Sequence, residues 1–271
     1  MKLLNSNIIE HYSKKNLFNQ ILMNFKKVDI NINSLTVNKL NGFDEFHIGG
    51  LKATLNLINQ LDLKPNMSVL DIGCGIGGAA RQIAFNFKAN VTGIDLTKNF
   101  IETAIKLTDL IGLHIKFKQG DALNIPYDNN EFDVATLFHV GMNINNKEKL
   151  FLEVSRILNK KGKFAIYDIM RLKTGAIQYP VPWSTNENTS FIESPKIYYE
   201  LAKKAGFDIY KKRIRKSFAI KYFKKFQNQK KPKKLGIKIF LGGDTKIKME
   251  NVENAIKEGL IAPVEMIFEK I

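Results

Sequence analysis

Three aspartates and one glycine-rich turn are the residues whose types and spacing suggest chemistry in this chain. Asp71 ends an apolar run and stands two residues before Gly73, the first glycine of the segment GCGIGG. Asp95 ends the next apolar run, and Asp121 follows a third one within the segment QGDAL. Glycine lets the backbone turn tightly and come close to a ligand. Carboxylates beside such a turn can attract a cation and can accept hydrogen bonds from hydroxyl and amino groups.

The same positions restrict the ligand. The glycines satisfy the pattern G-x-G-x-x-G, which is also the dinucleotide fingerprint. A carboxylate at Asp71 would repel the pyrophosphate of a dinucleotide, whereas it would accommodate the cationic aminoacyl end of S-adenosylmethionine (SAM). Asp95 is placed to hold a ribose diol, and Asp121 is placed to accept from an adenine amino group. The pattern therefore favours SAM over a dinucleotide.

The elements that must position these aspartates alternate along the chain. From residue 67 onwards, β-type apolar runs (MSVLDI, NVTGID, HIKFKQ, FDVATLF and GKFAIYDIM) alternate with amphipathic segments of helical period. Such alternation predicts a parallel, doubly wound sheet with helices on both faces. The carboxyl ends of parallel strands meet at one edge of a sheet, so the three aspartates are expected to lie there together.

The flanking segments complete this organisation. Residues 5–27 have apolar positions at helical spacing and predict one helix or a helix pair, 41–50 read as a loop, and 51–61 as another helix. After Arg171 we expect a loop, a helix near 195–205, a strand at 207–215, a helix near 244–258 and a last strand at 262–270. This tail would complete the sheet rather than form a second domain.

With these motifs the chain resembles the class I SAM-dependent methyltransferases. The matching residues are Asp71-Ile72-Gly73-Cys74-Gly75-Ile76-Gly77, Asp95, Gly120-Asp121-Ala122, Phe132-Asp133-Val134 and the turn from Arg156 to Gly162. The resemblance covers about residues 60–170. It implies an α/β, Rossmann-like, seven-stranded and mostly parallel sheet with helices on both faces. It also implies N-terminal lid helices over residues 1–60 and a methyltransferase domain over 61–271, with an insertion at about 171–195.

The resemblance also implies a cofactor site, with SAM as cofactor and S-adenosylhomocysteine as product. The residues expected to bind the cofactor are Phe46, His47, Asp71, Gly73, Cys74, Gly75, Asp95, Leu96, Asp121, Ala122 and His139. The residues expected to bind the methyl acceptor are Tyr12, His47, Met142, Arg171 and Trp183. No metal site is expected.

The flanks resemble small-molecule amine methyltransferases more closely. Residues 46–54, FHIGGLKAT, are similar to the segment that closes over SAM in phosphoethanolamine and sarcosine/dimethylglycine methyltransferases. Tyr12 falls in an N-terminal helix that carries an active-site tyrosine in those enzymes. The layout is also similar to that of the ubiquinone-biosynthesis C-methyltransferases. After the fourth strand, however, His139 and Asn143 stand where the phosphoethanolamine enzymes have an aspartate and a catalytic histidine, which argues against phosphoethanolamine as substrate.

His139 and Asn143 are accordingly the candidate catalytic residues. A neutral His139 could take or hold the proton of an acceptor amine, or it could only contact the adenosine. Asn143 could orient the acceptor, or it could cap the following helix. The leading hypothesis is methyl transfer to a small polar amine, with RNA methylation, quinone-type C-methylation and SAM binding without catalysis as alternatives.

The amino-acid composition restricts the partners and the cellular compartment that we expect for this chain. The net charge is +16, and residues 203–238 hold fifteen Lys or Arg and one acid, so the basicity belongs to a late segment that is either a solvated face or a surface for anions. A nucleic-acid partner is not expected, because no RNA-binding module is recognisable. The single cysteine, Cys74, suits a reducing compartment. Neither a secretory signal nor a membrane span is apparent, so we expect a cytoplasmic monomer or homodimer.

Overall fold

The computed structural model describes residues 8–12, 16–227 and 239–271. Part of the basic segment 203–238, from residue 228 to 238, therefore lies outside the described residues. Within the described ranges, no helix is long and apolar enough to cross a membrane.

The centre of the fold is a seven-stranded sheet with the order β3-β2-β1-β4-β5-β7-β6. Its strands are β1 Ser68–Ile72, β2 Asn90–Asp95, β3 Lys116–Gln119, β4 Phe132–Phe138, β5 Leu158–Arg171, β6 Phe207–Ile214 and β7 Ile261–Lys270. The first five pair in parallel, whereas β7 is antiparallel to both of its neighbours. The predicted Rossmann-like, mostly parallel sheet is confirmed, and the tail completes this sheet as expected.

Helices cover both faces of the sheet, as predicted. They are α1 Leu17–Lys27, α2 Val37–Asp44, α3 Leu51–Ile58, α4 Gly78–Phe87, α5 Lys98–Asp109, α6 Lys147–Ile157, α7 Pro195–Lys204, α8 Lys216–Gln227 and α9 Thr245–Lys257. Successive residues of β5 show the two faces, because side chains alternate along a strand. Phe164 and Ile166 pack into the core beneath α6 and α7. Ala165 and Tyr167 pack into the core beneath α3 and α4.

Two expectations about local structure were wrong. Residues 41–44 belong to α2 rather than to a loop, because Thr36 caps this helix by accepting from the N–H of Lys39, and Leu40 and Phe43 are buried. The basic stretch contains α8, which had not been predicted. Ala219 and Phe223 bury one side of α8, but its many lysines conceal this amphipathic pattern in the sequence.

The N-terminal segments pack over the carboxyl end of the sheet. Apolar side chains of α1 and α2, among them Phe25 and Phe43, form one core with Phe100 of α5 and with Phe240. Residues 172–194 lie between β5 and α7 and carry Trp183, which is buried. Both segments therefore enclose the edge at which the strands of the parallel sheet end, and in such sheets ligands bind at this edge.

Candidate active site

A cavity of about 210 Å³ opens at the carboxyl ends of β1, β2 and β4. Its wall holds five carboxyl groups, two histidines and several aromatic side chains, whereas no Lys or Arg of the described ranges lines it. The carboxyl groups are those of Asp44, Glu45, Asp71, Asp95 and Asp121. The cavity is therefore suited to a ligand with positive charge.

The glycine turn after β1 forms the floor of this cavity. Gly73, Gly75 and Gly77 have φ of +67°, +55° and +88°, a backbone region that favours glycine. A Cβ on Gly73 would also collide with the side chain of Val140. The turn is fastened to β2, because Gly75 N–H donates to Asp95 Oδ2 at 3.0 Å.

Asp71 is buried with only one of its two oxygens engaged. Thr136 Oγ1 donates to Asp71 Oδ1 at 2.8 Å, and Oδ2 has no hydrogen-bond partner among the described residues. Burial raises the pKa of Asp71 to about 7, although the hydrogen bond from Thr136 opposes this rise. An unpartnered buried carboxylate oxygen is costly, so the position is prepared for a cationic group.

Asp95 and Asp121 are held by backbone N–H groups beside Asp71. Asp95 accepts from Gly75 N and, at 2.8 Å, from Thr97 N. Burial raises its pKa, and these two hydrogen bonds oppose the rise. Asp121 Oδ1 accepts from Leu123 N at 2.8 Å. The fold thus brings all three predicted aspartates to one cavity.

A buried ion pair at the cavity wall is not expected from the sequence. Arg81 Nη2 lies 2.8 Å from Asp44 Oδ2, and both side chains are almost completely buried. Burial raises the pKa of Asp44 to about 6, against the opposing effect of Arg81. Arg81 also donates to Ile76 O, within the glycine turn. In the sequence, Arg81 appears only as one residue of an amphipathic helix, so no local signal pointed to this pair.

The two cavity histidines, His47 and His139, lie close together. Their ring centroids are 5.6 Å apart, and His47 also stacks on Phe138 at 5.4 Å. His139 has a φ of +54°, an uncommon conformation for a residue other than glycine. Burial, together with the nearby His47, holds the pKa of His139 well below its ordinary value. His139 is therefore a neutral imidazole at physiological pH.

Tyr12 and Asn143 meet at the N-terminal side of the cavity. Asn143 Nδ2 donates to Tyr12 Oη at 3.1 Å. Burial raises the pKa of Tyr12 to about 12, so its hydroxyl stays protonated at physiological pH. Met142 and Trp183 complete this side, and Trp183 Nε1 donates to Ser190 Oγ at 2.9 Å.

Most residues expected from the sequence line this one cavity. They are Tyr12, Phe46, His47, Asp71, Gly73, Cys74, Gly75, Asp95, Leu96, Asp121, Ala122, His139, Met142, Asn143 and Trp183. Arg171 does not line it, because its Nη1 donates to Gly175 O, outside the cavity. Residues not anticipated in the wall include Asp44, Glu45, Thr97, Phe138 and Phe240.

This chain is similar to known methyltransferases. A family model described as "Methyltransferase domain" matches residues 63–206. Over 123 residues the chain is 37% identical to phosphoethanolamine N-methyltransferase 3 of Arabidopsis thaliana, a match covering 45% of this chain and 25% of that protein. Over 114 residues it is 33% identical to a sterol 24-C-methyltransferase of Gibberella zeae, covering 41% of this chain and 30% of that protein. The aligned part thus spans only about a quarter to a third of these relatives.

Among solved structures, one described as a sarcosine dimethylglycine methyltransferase from Galdieria sulphuraria has a similar fold. The TM-score is 0.69 at 20% sequence identity, and the match covers 84% of this chain and 92% of that one. Other structures of similar fold contain bound SAM.

Proposed function

This chain belongs to the methyltransferase-domain family, and we propose that it transfers the methyl group of SAM to the nitrogen of a small amine of the sarcosine or dimethylglycine kind. The observation that carries the proposal is the acidic cavity with two adjacent histidines and, within the described residues, no lysine or arginine in its wall. An amine approaches such a wall favourably as a cation and, once deprotonated, presents a lone pair.

SAM is the cofactor of the family, and the residues present fit it. SAM carries an ammonium and a sulfonium, and three buried carboxyl oxygens of the cavity wall have no hydrogen-bond partner among the described residues: Asp44 Oδ1, Glu45 Oε1 and Asp71 Oδ2. Asp71 would take the ammonium, Asp95 the ribose hydroxyls and Asp121 the adenine amino group. When bound, SAM supplies an electrophilic methyl group. Cavity residues that align the acceptor with this methyl group can contribute much of the rate enhancement.

The residues that we expect to contact the acceptor amine are uncharged polar or aromatic side chains. His139, neutral because of its lowered pKa, can accept a hydrogen bond from the amine. Asn143 and Tyr12, which are hydrogen-bonded to each other in the same wall, can orient it. Phe138 and Trp183 add aromatic side chains to the wall, which suit a methylated ammonium.

The charge of the wall selects among amines. A phosphate group would find no lysine or arginine among the described residues of the wall to pair with it, which disfavours phosphoethanolamine. A carboxylate is smaller and carries less charge. The amides of Asn143 and Asn145, both in the wall, could hydrogen-bond to it.

The test combines binding with product analysis. Calorimetry with SAM comes first, followed by mass spectrometry after incubation with sarcosine, dimethylglycine, ethanolamine and phosphoethanolamine. We expect SAM binding and a singly methylated product from an amine that lacks phosphate. The absence of a product from every amine would contradict N-methylation, and a preference for phosphoethanolamine would contradict the charge argument.

A second candidate is C-methylation of an apolar acceptor. It is favoured by the similarity to a sterol C-methyltransferase and by a second, mostly apolar cavity that adjoins the first. The position of the new methyl group, determined by NMR of the product, separates the two candidates. A new C–CH₃ bond from an apolar acceptor would replace the amine proposal.

A further inference from the structure

We propose that His47, held in place by Glu45, is the base that takes the proton of the acceptor amine. This inference rests on the proposed function, because it assigns a proton acceptor to the same site. The sequence indicated His47 as a cofactor and acceptor contact, and it gave no role to Glu45.

The hydrogen bonds around His47 determine which ring nitrogen is free. His47 Nε2 lies 2.7 Å from Glu45 Oε2 and 2.9 Å from Thr54 Oγ1. Thr54 Oγ1 itself donates to Glu45 Oε2 at 2.8 Å. Because the proton of Thr54 is directed to Glu45, Nε2 must carry a proton of its own to bond the carboxylate. The proton-accepting nitrogen of the neutral ring is therefore Nδ1, which is buried and has no partner among the described residues.

The location of His47 suits contact with an acceptor. His47 and His139 line both the main cavity and the second, smaller cavity. The rest of the second wall is mostly apolar and includes Ile169, Phe223 and Val252. An amine nitrogen in the main cavity beside His47 would have its methyl or alkyl substituents directed towards this second cavity.

His47 is better equipped than His139 to receive a proton. A carboxylate that faces one side of an imidazole stabilises the imidazolium formed on the other side. His47 has Glu45 in this position, whereas burial and the neighbouring His47 make His139 a poor base by lowering its pKa. The ring of Tyr167 also contacts His47, but burial raises the pKa of Tyr167 far above its ordinary value, so it stays neutral.

The step balances as follows. The N–H bond of the protonated amine breaks, its electron pair remains on nitrogen, and the proton adds to His47 Nδ1. The nitrogen pair then forms the N–C bond to the methyl carbon while the C–S bond breaks and its pair stays on sulfur, which gives S-adenosylhomocysteine. The imidazolium, paired with Glu45, returns its proton to solvent.

The first test does not depend on turnover. In protein with bound S-adenosylhomocysteine, ¹⁵N NMR of labelled histidines reports which ring nitrogen carries the proton, and H47N assigns the signal. We expect neutral His47 to be protonated at Nε2, and we expect E45Q to weaken this preference. A neutral His47 protonated at Nδ1 would overturn the proposal.

The second test compares acceptors. With sarcosine or dimethylglycine, H47N is expected to lower kcat by about 10²–10⁴-fold, as for loss of a general base, and E45Q by less. H114N, the same change at an exposed histidine, should leave kcat unchanged. A weakly basic fluorinated analogue of the same amine arrives unprotonated, so H47N should slow its methylation much less.

The outcomes separate the two proposals. If H47N lowered kcat equally with the natural amine and with its fluorinated analogue, His47 would not be the proton acceptor. The same conclusion would follow if H47N lowered kcat for the natural amine by less than about tenfold, because loss of a general base costs more than this. If wild-type protein methylates no amine at all, the proposed function fails, and the tautomer measured by NMR still decides whether Glu45 orients His47. Calorimetry with SAM on each variant shows whether the cavity remains intact.

Discussion

Asn143 Nδ2 donates a hydrogen bond of 3.1 Å to Tyr12 Oη, across 131 residues of sequence. The bond joins the N-terminal helical segment, residues 8–12, to the turn that follows β4. Both partners line the main cavity. The N-terminal segment is therefore part of the wall of the site, which supports its proposed role as a lid.

The first prediction concerns this hydrogen bond. Y12F removes the oxygen that accepts from Asn143, and a hydrogen bond of this kind contributes about 0.5–1.5 kcal/mol. We expect kcat/KM to fall by a few-fold to about tenfold, with a smaller change in SAM affinity. Because the two residues act together, the double variant Y12F/N143A should be little worse than N143A alone. Y210F, at an exposed tyrosine, is the control, and additive losses would contradict the coupling.

The second prediction concerns the charge of Asp71. D71N keeps the shape of the side chain and removes the negative charge that we assign to the ammonium of SAM. We expect the dissociation constant of SAM to rise by about 10–100-fold, equivalent to loss of a charged hydrogen bond of about 1.5–3 kcal/mol. D208N, at an exposed aspartate, should bind as wild type. Equal affinities of D71N and wild type in calorimetry would refute the assignment.

The third prediction is a pH dependence with a defined sign. The pKa of Asp71 is raised from 3.8 to about 7 in the folded protein, so from about pH 4 to 7 the folded state binds more protons than the unfolded state. The stability of the ligand-free protein should therefore fall as the pH rises through this range. A cation favours the ionised carboxylate, so SAM affinity should rise with pH up to about 7 and then level off.

Thermal unfolding checks this dependence. The increase in Tm on addition of SAM should be larger at roughly pH 8 than at roughly pH 6. The pKa of Asp44 is also raised, to about 6. In D71N the Tm increase caused by SAM should therefore vary less with pH than in the wild-type protein, but it should still vary. An increase in Tm that is independent of pH in the wild-type protein would contradict the prediction.

The fourth prediction uses two glycines with the same backbone conformation. Gly73 and Gly112 both have a φ of +67°, where alanine costs about 1–2 kcal/mol. At Gly73 the new Cβ would also meet Val140, whereas at Gly112 nothing lies within 4 Å. We expect G112A to be mildly destabilised with normal SAM binding, and G73A to lose SAM binding. Circular dichroism measures the stability of each variant, and calorimetry measures its SAM binding. Normal SAM binding by G73A would show that this turn is not the cofactor site.

The fifth prediction concerns the buried pair of Arg81 and Asp44. In ligand-free protein, D44N leaves the buried guanidinium without a counter-charge, which should lower the free energy of unfolding by about 3–5 kcal/mol. The control is E102Q, which breaks an exposed pair with Lys98 at 3.8 Å and should cost no more than about 0.5 kcal/mol. Urea denaturation distinguishes the two, and similar small losses would show that Asp44 does not neutralise Arg81.

The sequence by itself determined the strand–turn–helix core and the place of the three aspartates. Each of these features is local: an apolar run fixes a strand, and glycines fix the turn that follows. Parallel pairing then obliges the strand ends, and hence Asp71, Asp95 and Asp121, to share one edge. The family resemblance rests on these local features, and it is confirmed.

Only the tertiary structure decided which other side chains reach the cavity. Arg171 ends β5 as Asp71 nearly ends β1, yet its guanidinium turns to Gly175. Phe240 packs on Phe46 although most of the chain separates them. Asp44 forms an ion pair with Arg81, which lies on another helix. Glu45 and His47 are near neighbours in sequence, but Thr54, which hydrogen-bonds to both, and Phe138, which stacks on His47, are brought to the pair by the fold. Spacing along a chain specifies backbone geometry over a few residues, whereas contacts between distant segments follow from packing, which no single segment encodes.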